Sequence, residues 1–131
     1  MTYRLSELKG QKVVVAFYPG DETPVCTKQL CSYRDAWSEF ESAGVTVLGI
    51  SPQSVESHER FRDHHGFPFP LLADEGSRVA GAWGASGLFG RVKRSVFALD
   101  GDGVIRYAHT SSIGLDYRKA AEILASLAES A

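Results

Sequence analysis

The apolar positions of this chain follow two rhythms. Val13 to Tyr18 and Val45 to Ile50 are nearly unbroken apolar runs of strand length, the pattern of strands covered on both faces. Between them Cys26, Leu30, Tyr33, Trp37 and Phe40 recur at the spacing of one helical face, which predicts an amphipathic helix from Thr23 to about Ala43. Thr23 is a favourable N-cap, Pro24 fits the first helical position, and Gly44 supplies the stop. A second helix is predicted from Val55 to His65, with Val55, His58, Phe61, Arg62 and His65 on one side and Gly66 at its end.

Past Gly66 the pattern changes. The alternate prolines of Phe67-Pro68-Phe69-Pro70 remove ladder donors, so this stretch reads as an extended connector into a short strand at Leu71-Leu72. Asp74 is placed to cap a short helix reaching about Trp83, and Gly81, Gly84, Gly87 and Gly90 mark a loop. Ser95 to Leu99 and Val104 to His109 read as strands joined by the turn Asp100-Gly101-Asp102-Gly103. Asp116 can cap a last helix with Tyr117, Ala120, Ala121, Leu124, Leu127 and Ala128 as its apolar stripe. The order β-α-β-α-β-α-β-β-α implies parallel crossovers followed by an antiparallel hairpin. The expected class is α/β, a mixed central sheet with helices on both faces.

A length of 131 residues suits a single domain, 1–131, with a core that needs no disulfide or metal. The net charge is −2 and the basic residues are scattered, Arg91, Lys93 and Arg94 being the one cluster. No basic stripe is available to neutralise phosphates, which argues against nucleic-acid partners. No apolar run approaches the roughly 18 residues needed to cross a bilayer, and Met1 to Glu7 lack the hydrophobic segment of a signal peptide. The expectation is a cytoplasmic protein with no membrane partner. In a reducing compartment its two cysteines, Cys26 and Cys31, point to catalysis or redox sensing rather than a structural bridge.

Other chemistries find little support. His58, His64, His65 and His109 show no zinc spacing with the cysteines and read as surface or core residues. The glycines between Gly81 and Gly90 lack the order of a phosphate-binding loop. Asp100 and Asp102 lack the twelve-residue frame of a calcium loop.

The cysteine spacing is informative. Cys26 falls in the first turn of its predicted helix, where free N–H groups and the positive end of the dipole favour a thiolate. Cys31 lies about 140° further round and about 7.5 Å along the axis. Two helical Cα atoms so placed are about 8 to 9 Å apart, beyond the roughly 7 Å that a disulfide tolerates. The pair can bond only if the first turn unwinds. Each cysteine taken singly can also be a small buried hydrophobe; the spacing favours two thiols that meet transiently.

The pattern P-x-x-x-T-x-x-C formed by Pro19, Thr23 and Cys26, preceded by Phe17-Tyr18 and followed by Cys31 and Arg34-Asp35, resembles the peroxiredoxins. Within them it is most similar to the PrxQ group, also called bacterioferritin comigratory proteins. The resemblance extends through Leu5-Ser6-Glu7-Leu8-Lys9-Gly10, Ser57-His58 with Phe61, Phe67 to Asp74, and Arg94 to Asp100. It implies a thioredoxin-like fold and a thiol peroxidase acting on hydrogen peroxide and organic hydroperoxides. The Cys26 thiolate would become a sulfenic acid, Cys31 would resolve it as an intramolecular disulfide, and thioredoxin or a similar dithiol would recycle the pair. No metal, flavin or haem cofactor is required. Thr23, the Val25 and Cys26 amides and Arg94 would stabilise the leaving oxygen. Arg94 would also lower the Cys26 pKa, and Pro19 would shield the thiolate from water.

Two departures from the group's pattern stand out. Val25 occupies a position that is usually glycine, and the chain starts too late for the β-hairpin that relatives usually carry before the Leu5 to Gly10 equivalent. Monomers are the group's more usual form, but an uncovered edge would favour a dimer. Of the rival readings, a disulfide reductase would want C-x-x-C at the helix start. A redox-sensing domain, in which Cys26 oxidation unwinds the helix without efficient turnover, stays open.

Overall fold

The computed structural model describes residues 10–21, 23–85, 92–110 and 120–128. Their elements run β1 (Lys12–Phe17), α1 (Pro24–Asp35), α2 (Trp37–Ser42), β2 (Val45–Ser51), α3 (Val55–His65), β3 (Leu71–Ala73), α4 (Arg78–Ala82), β4 (Ser95–Leu99), β5 (Ile105–Thr110) and α5 (Ala120–Ala128). The strands form one five-stranded mixed sheet ordered β3-β2-β1-β4-β5. The apolar run of β1 marks its central place. Val14 and Ala16 face a layer with Cys26, Leu30, Tyr33, Phe40, Phe61, Ile123 and Leu127. Val13, Val15 and Phe17 face the other way, toward Ala80, Ala85, Val92 and Phe97. Helices therefore cover both faces, but unequally: α1, α2, α3 and α5 lie on one and α4 on the other.

The pairs β1–β2 and β2–β3 are parallel, as their intervening helices require. The third crossover departs from the parallel expectation, because β4 runs antiparallel to β1, with Phe17 opposite Ser95 and Val13 opposite Leu99. Strand β3 thus ends, and β4 begins, at the same end of the sheet. The segment carrying α4 need not traverse the sheet, and Arg94 emerges beside the end of β1.

The single helix expected from Thr23 to Ala43 is divided at Ala36, whose backbone (φ −95°, ψ 13°) leaves the helical region. The Glu39 and Phe40 N–H groups both turn to the Ala36 carbonyl, which resets the helical phase. Tyr33 and Phe40 then meet edge to face at 6.0 Å, and Trp37 lies half-buried 6.0 Å from Phe69. With neither proline nor glycine at the joint, the sequence carries no mark of it. Gly44 (φ 69°) does end the pair of helices.

Helix α3 has the expected bounds, capped by the Ser54 hydroxyl and closed by left-handed Gly66. Its buried stripe is narrower than expected: His58 and Phe61 reach the core, while Val55 is 56% exposed and Arg62 is exposed. Asp74 caps α4 from a turn away, its carboxylate accepting from the Val79 and Ala80 N–H groups at 3.1 and 3.0 Å. In the hairpin, Asp100 Oδ1 accepts from the Asp102 and Val104 N–H groups. Among the described side chains of α5, Ile123 and Leu127 are fully buried and Leu124 half-buried, so the buried stripe includes Ile123, which the expected one lacked. The expectations for Gly87, Gly90, Asp116 and Tyr117, and for the side chains of Ala120, Ala121 and Ala128, fall outside the described residues.

Candidate active site

Strand β1 leaves the sheet at Tyr18, whose N–H bonds the Ile50 carbonyl at 3.0 Å, and enters the Pro19-Gly20-Asp21 turn. Thr23, extended at φ −79°, starts α1 with Pro24 next to it. Its hydroxyl donates back to the Gly20 carbonyl at 2.9 Å rather than accepting from a helix N–H. The first-turn amides are therefore left without a side-chain cap. Unpaired N–H groups of this kind suit an anion or a developing oxyanion.

Cys26 sits in that turn, 1% exposed. Arg94, only 4% exposed, donates from Nη2 to the Cys26 sulfur at 3.2 Å. Its Nη1 donates to Gln29 Oε1 at 2.7 Å, and Gln29 Nε2 donates to the Tyr33 hydroxyl at 3.0 Å. Gln29 and Tyr33 are fully buried one and two turns along the same helix. The planar guanidinium is thus aimed through one amide, and its hydrogen bond to the sulfur is charge-assisted when the sulfur is a thiolate.

A second network lies behind the turn. Tyr18 Oη donates to Asp21 Oδ1 at 2.7 Å and Ser57 Oγ donates to Asp21 Oδ2 at 2.6 Å. His58 Nδ1 stands 2.8 Å from Asp21 Oδ2, and its Nε2 is 3.0 Å from the Leu72 carbonyl. Burial opposes ionisation of Asp21, but hydrogen bonds from His58, Ser57 and Tyr18 outweigh it and hold the carboxyl below its ordinary value of 3.8. Burial first, then Asp21 and to a lesser degree Cys26, push the Tyr18 phenol well above its ordinary value, so it serves as a neutral donor.

Cys31 is half-buried and, like Cys26, free. Its sulfur lies 4.0 Å from His65 Nδ1, and Arg34 Nη1 donates to the His65 carbonyl at 2.7 Å. Both cysteines are within α1, so the helical separation deduced from their spacing applies.

The structure therefore brings Cys26 and Arg94 into contact and sets Thr23 and Val25 in the same turn. Pro19 is exposed in the loop before them, and Cys31 stands off toward α3. Sequence reasoning missed Gln29, Asp21 and the link from His58 to Asp21. Gln29 had left a signal, a polar residue three positions after Cys26 on the buried stripe.

Comparison with known proteins agrees with this geometry. Residues 1–108 match the model of the AhpC/TSA family. The chain belongs to that family. Among its relatives, the chloroplastic peroxiredoxin Q of Sedum lineare is 48% identical over 109 residues, covering 82% of this chain and 59% of that protein. The putative peroxiredoxin bcp of Coxiella burnetii is 44% identical over 108 residues, 77% of this chain and 72% of that one. A solved structure of the Xanthomonas campestris bacterioferritin comigratory protein, concerned with alkyl peroxide reduction, superposes with a TM-score of 0.85 at 30% identity. It covers 98% of this chain and 84% of that one. The thioredoxin-like fold follows from this likeness and from the mixed sheet. The chain spans little more than half the length of the plant relatives it matches.

Proposed function

We propose that this AhpC/TSA family member is a thiol peroxidase, and the contact between Arg94 and the Cys26 sulfur carries the reading. The Cys26 thiolate attacks one oxygen of a hydroperoxide. The S–O bond forms as the O–O bond breaks, sulfur gives up two electrons, and the departing oxygen takes a proton to leave as water or an alcohol. Arg94 and the uncapped Val25 and Cys26 amides stabilise the charge that develops on the leaving oxygen, and Thr23 contributes once its hydroxyl releases the Gly20 carbonyl. Pro19 limits water at the mouth of the turn. Hydrogen peroxide and organic hydroperoxides are both substrates, in keeping with the alkyl peroxide reduction of the Xanthomonas campestris relative.

Cys31 completes the cycle. Its thiol displaces water from the Cys26 sulfenic acid to form a disulfide, which requires α1 to unwind locally, since helical residues at this spacing are held about 8 to 9 Å apart. Thioredoxin or a similar dithiol then reduces the disulfide by exchange, becoming oxidised itself. The chain acts as one domain and as a monomer. Such cycling demands a reducing compartment. The cytoplasm is the proposed one, although the Sedum lineare relative is chloroplastic by name.

Intact mass after one equivalent of hydrogen peroxide on reduced protein tests this cycle. Loss of two hydrogens mapped to Cys26 and Cys31 is expected. Addition of oxygen at Cys26 that persists would favour the redox-sensing reading, and no rapid change at either cysteine would overturn both.

A further inference from the structure

The network behind the turn takes no part in the steps above, yet it buries a histidine against a carboxylate in the loop that leads to the Cys26 turn. The Asp21 side chain is 2% exposed and that of His58 3% exposed. Each ring nitrogen of His58 faces an acceptor, Nδ1 the Asp21 carboxylate and Nε2 the Leu72 carbonyl. A proton on each nitrogen would satisfy both acceptors and make the pair an imidazolium and a carboxylate.

Tyr18 links this pair to the thiol. Its hydroxyl bonds Asp21 and its ring shares the apolar layer of Cys26. Among the described residues, the groups facing the pair are Tyr18 from the end of β1, Ser57 on α3 and the Leu72 carbonyl on β3. In the site itself, Arg94 and the ionisable Cys26 stand in contact.

Three groups converge on the Asp21 oxygens, and a carboxylate serves them more fully than an amide would. An uncompensated carboxylate, however, would oppose a second negative charge nearby in a medium of low dielectric. Resting on the peroxidase reading, we propose that His58 is a positioning residue that neutralises Asp21, so that the turn bearing Thr23 is held by a carboxylate whose charge does not oppose the Cys26 thiolate. The effect reaches the sulfur through Asp21 and Tyr18, without contact between His58 and substrate.

The test is the pH dependence of the rate of Cys26 oxidation by hydrogen peroxide, measured on reduced protein. His58→Gln is expected to move the acid limb of the profile up by about one pH unit, making oxidation about tenfold slower on that limb. The double variant Asp21→Asn with His58→Gln is expected to return the limb to the parent's position, which a loss of packing would not do. An unmoved limb in folded His58→Gln, or a double variant displaced as far as the single one, would overturn the proposal. If His58→Gln does not fold, Asp21→Asn decides: its limb is expected at or below the parent's pH, and a raised limb would overturn the proposal. A parent that shows no rapid reaction at Cys26 fails the peroxidase reading instead.

Discussion

Gln29 accepts a hydrogen bond from Arg94 Nη1 at 2.7 Å across 65 residues of sequence, while the other nitrogen of the same guanidinium reaches the Cys26 sulfur. The amide aims the arginine. Gln29→Leu would keep the volume but remove one hydrogen bond each from Arg94 Nη1 and the Tyr33 hydroxyl, a net loss of about 0.5 to 1.5 kcal/mol per bond. Chemical denaturation should show the lost stability, and stopped-flow oxidation should slow because the guanidinium is no longer held on the sulfur.

Arg94 itself should matter more to rate than to folding. Removing one preorganised donor from a developing oxyanion costs about 100-fold or more. Arg94→Ala is expected to slow peroxide oxidation of Cys26 by about that factor. Arg94→Lys should recover little of it, because an ammonium lacks the planar fork that serves Gln29 and Cys26 together. Second-order rate constants for the two variants check this, and a lysine variant as fast as the parent would show that charge alone suffices.

Val25 is half-buried in the first turn of α1, the turn that must open for the cysteines to meet. Val25→Gly should weaken that turn by up to about 1 kcal/mol. Disulfide formation after the sulfenic acid should then accelerate several-fold, with thermal stability slightly lowered. Time-resolved mass analysis separates this step from the first oxidation, and an unchanged resolving rate would mean that unwinding does not limit it.

The Asp74 carboxylate holds two N–H groups of α4, the helix covering the opposite face of the sheet. Asp74→Ala should cost about 1 to 2 kcal/mol, the worth of a lost cap. Asp74→Asn should recover part of it. Peroxide oxidation of Cys26 should be unaffected at temperatures where the variant is folded.

Acid should destabilise the protein through specific carboxylates. Arg106 Nε donates to Asp100 Oδ2 at 2.6 Å, and this bond, assisted by the Val104 and Asp102 amides against burial, holds Asp100 below its ordinary 3.8. A folded-state value below the unfolded one contributes stability that is present above the unfolded value and lost as pH falls through the folded one. Asp21 acts in the same sense. Asp100→Asn should therefore flatten the fall of Tm below about pH 4, and an unchanged slope would show that Asp100 is not among the groups responsible.

The local grammar of the chain was open to reading from the residues alone. Short apolar runs rich in β-branched residues and bounded by Gly or Pro suit strands covered on both faces, so β1 and β2 were legible. Gly66 ends α3 by capping chemistry, and the Asp-Gly repeat makes the β4–β5 hairpin. Cys26 at a helix start announced itself in the same way, because capping and dipole effects act within a turn.

What the tertiary structure decided are the long-range relations. That β4 runs antiparallel to β1 depends on which end of the sheet the chain returns to, and only this puts Arg94 against Cys26. Without the family resemblance, nothing in the sequence distinguishes Arg94 from Lys93 or Arg91. The break at Ala36 carries no local mark in the sequence, and Tyr33 and Phe40 meet in the same layer across it. The Asp21–His58 pair joins a loop to a helix 37 residues on, through burial that neither residue predicts alone. Sequence specifies the elements because capping, turns and periodicity are local; the site exists because nonlocal packing buries charges beside one another.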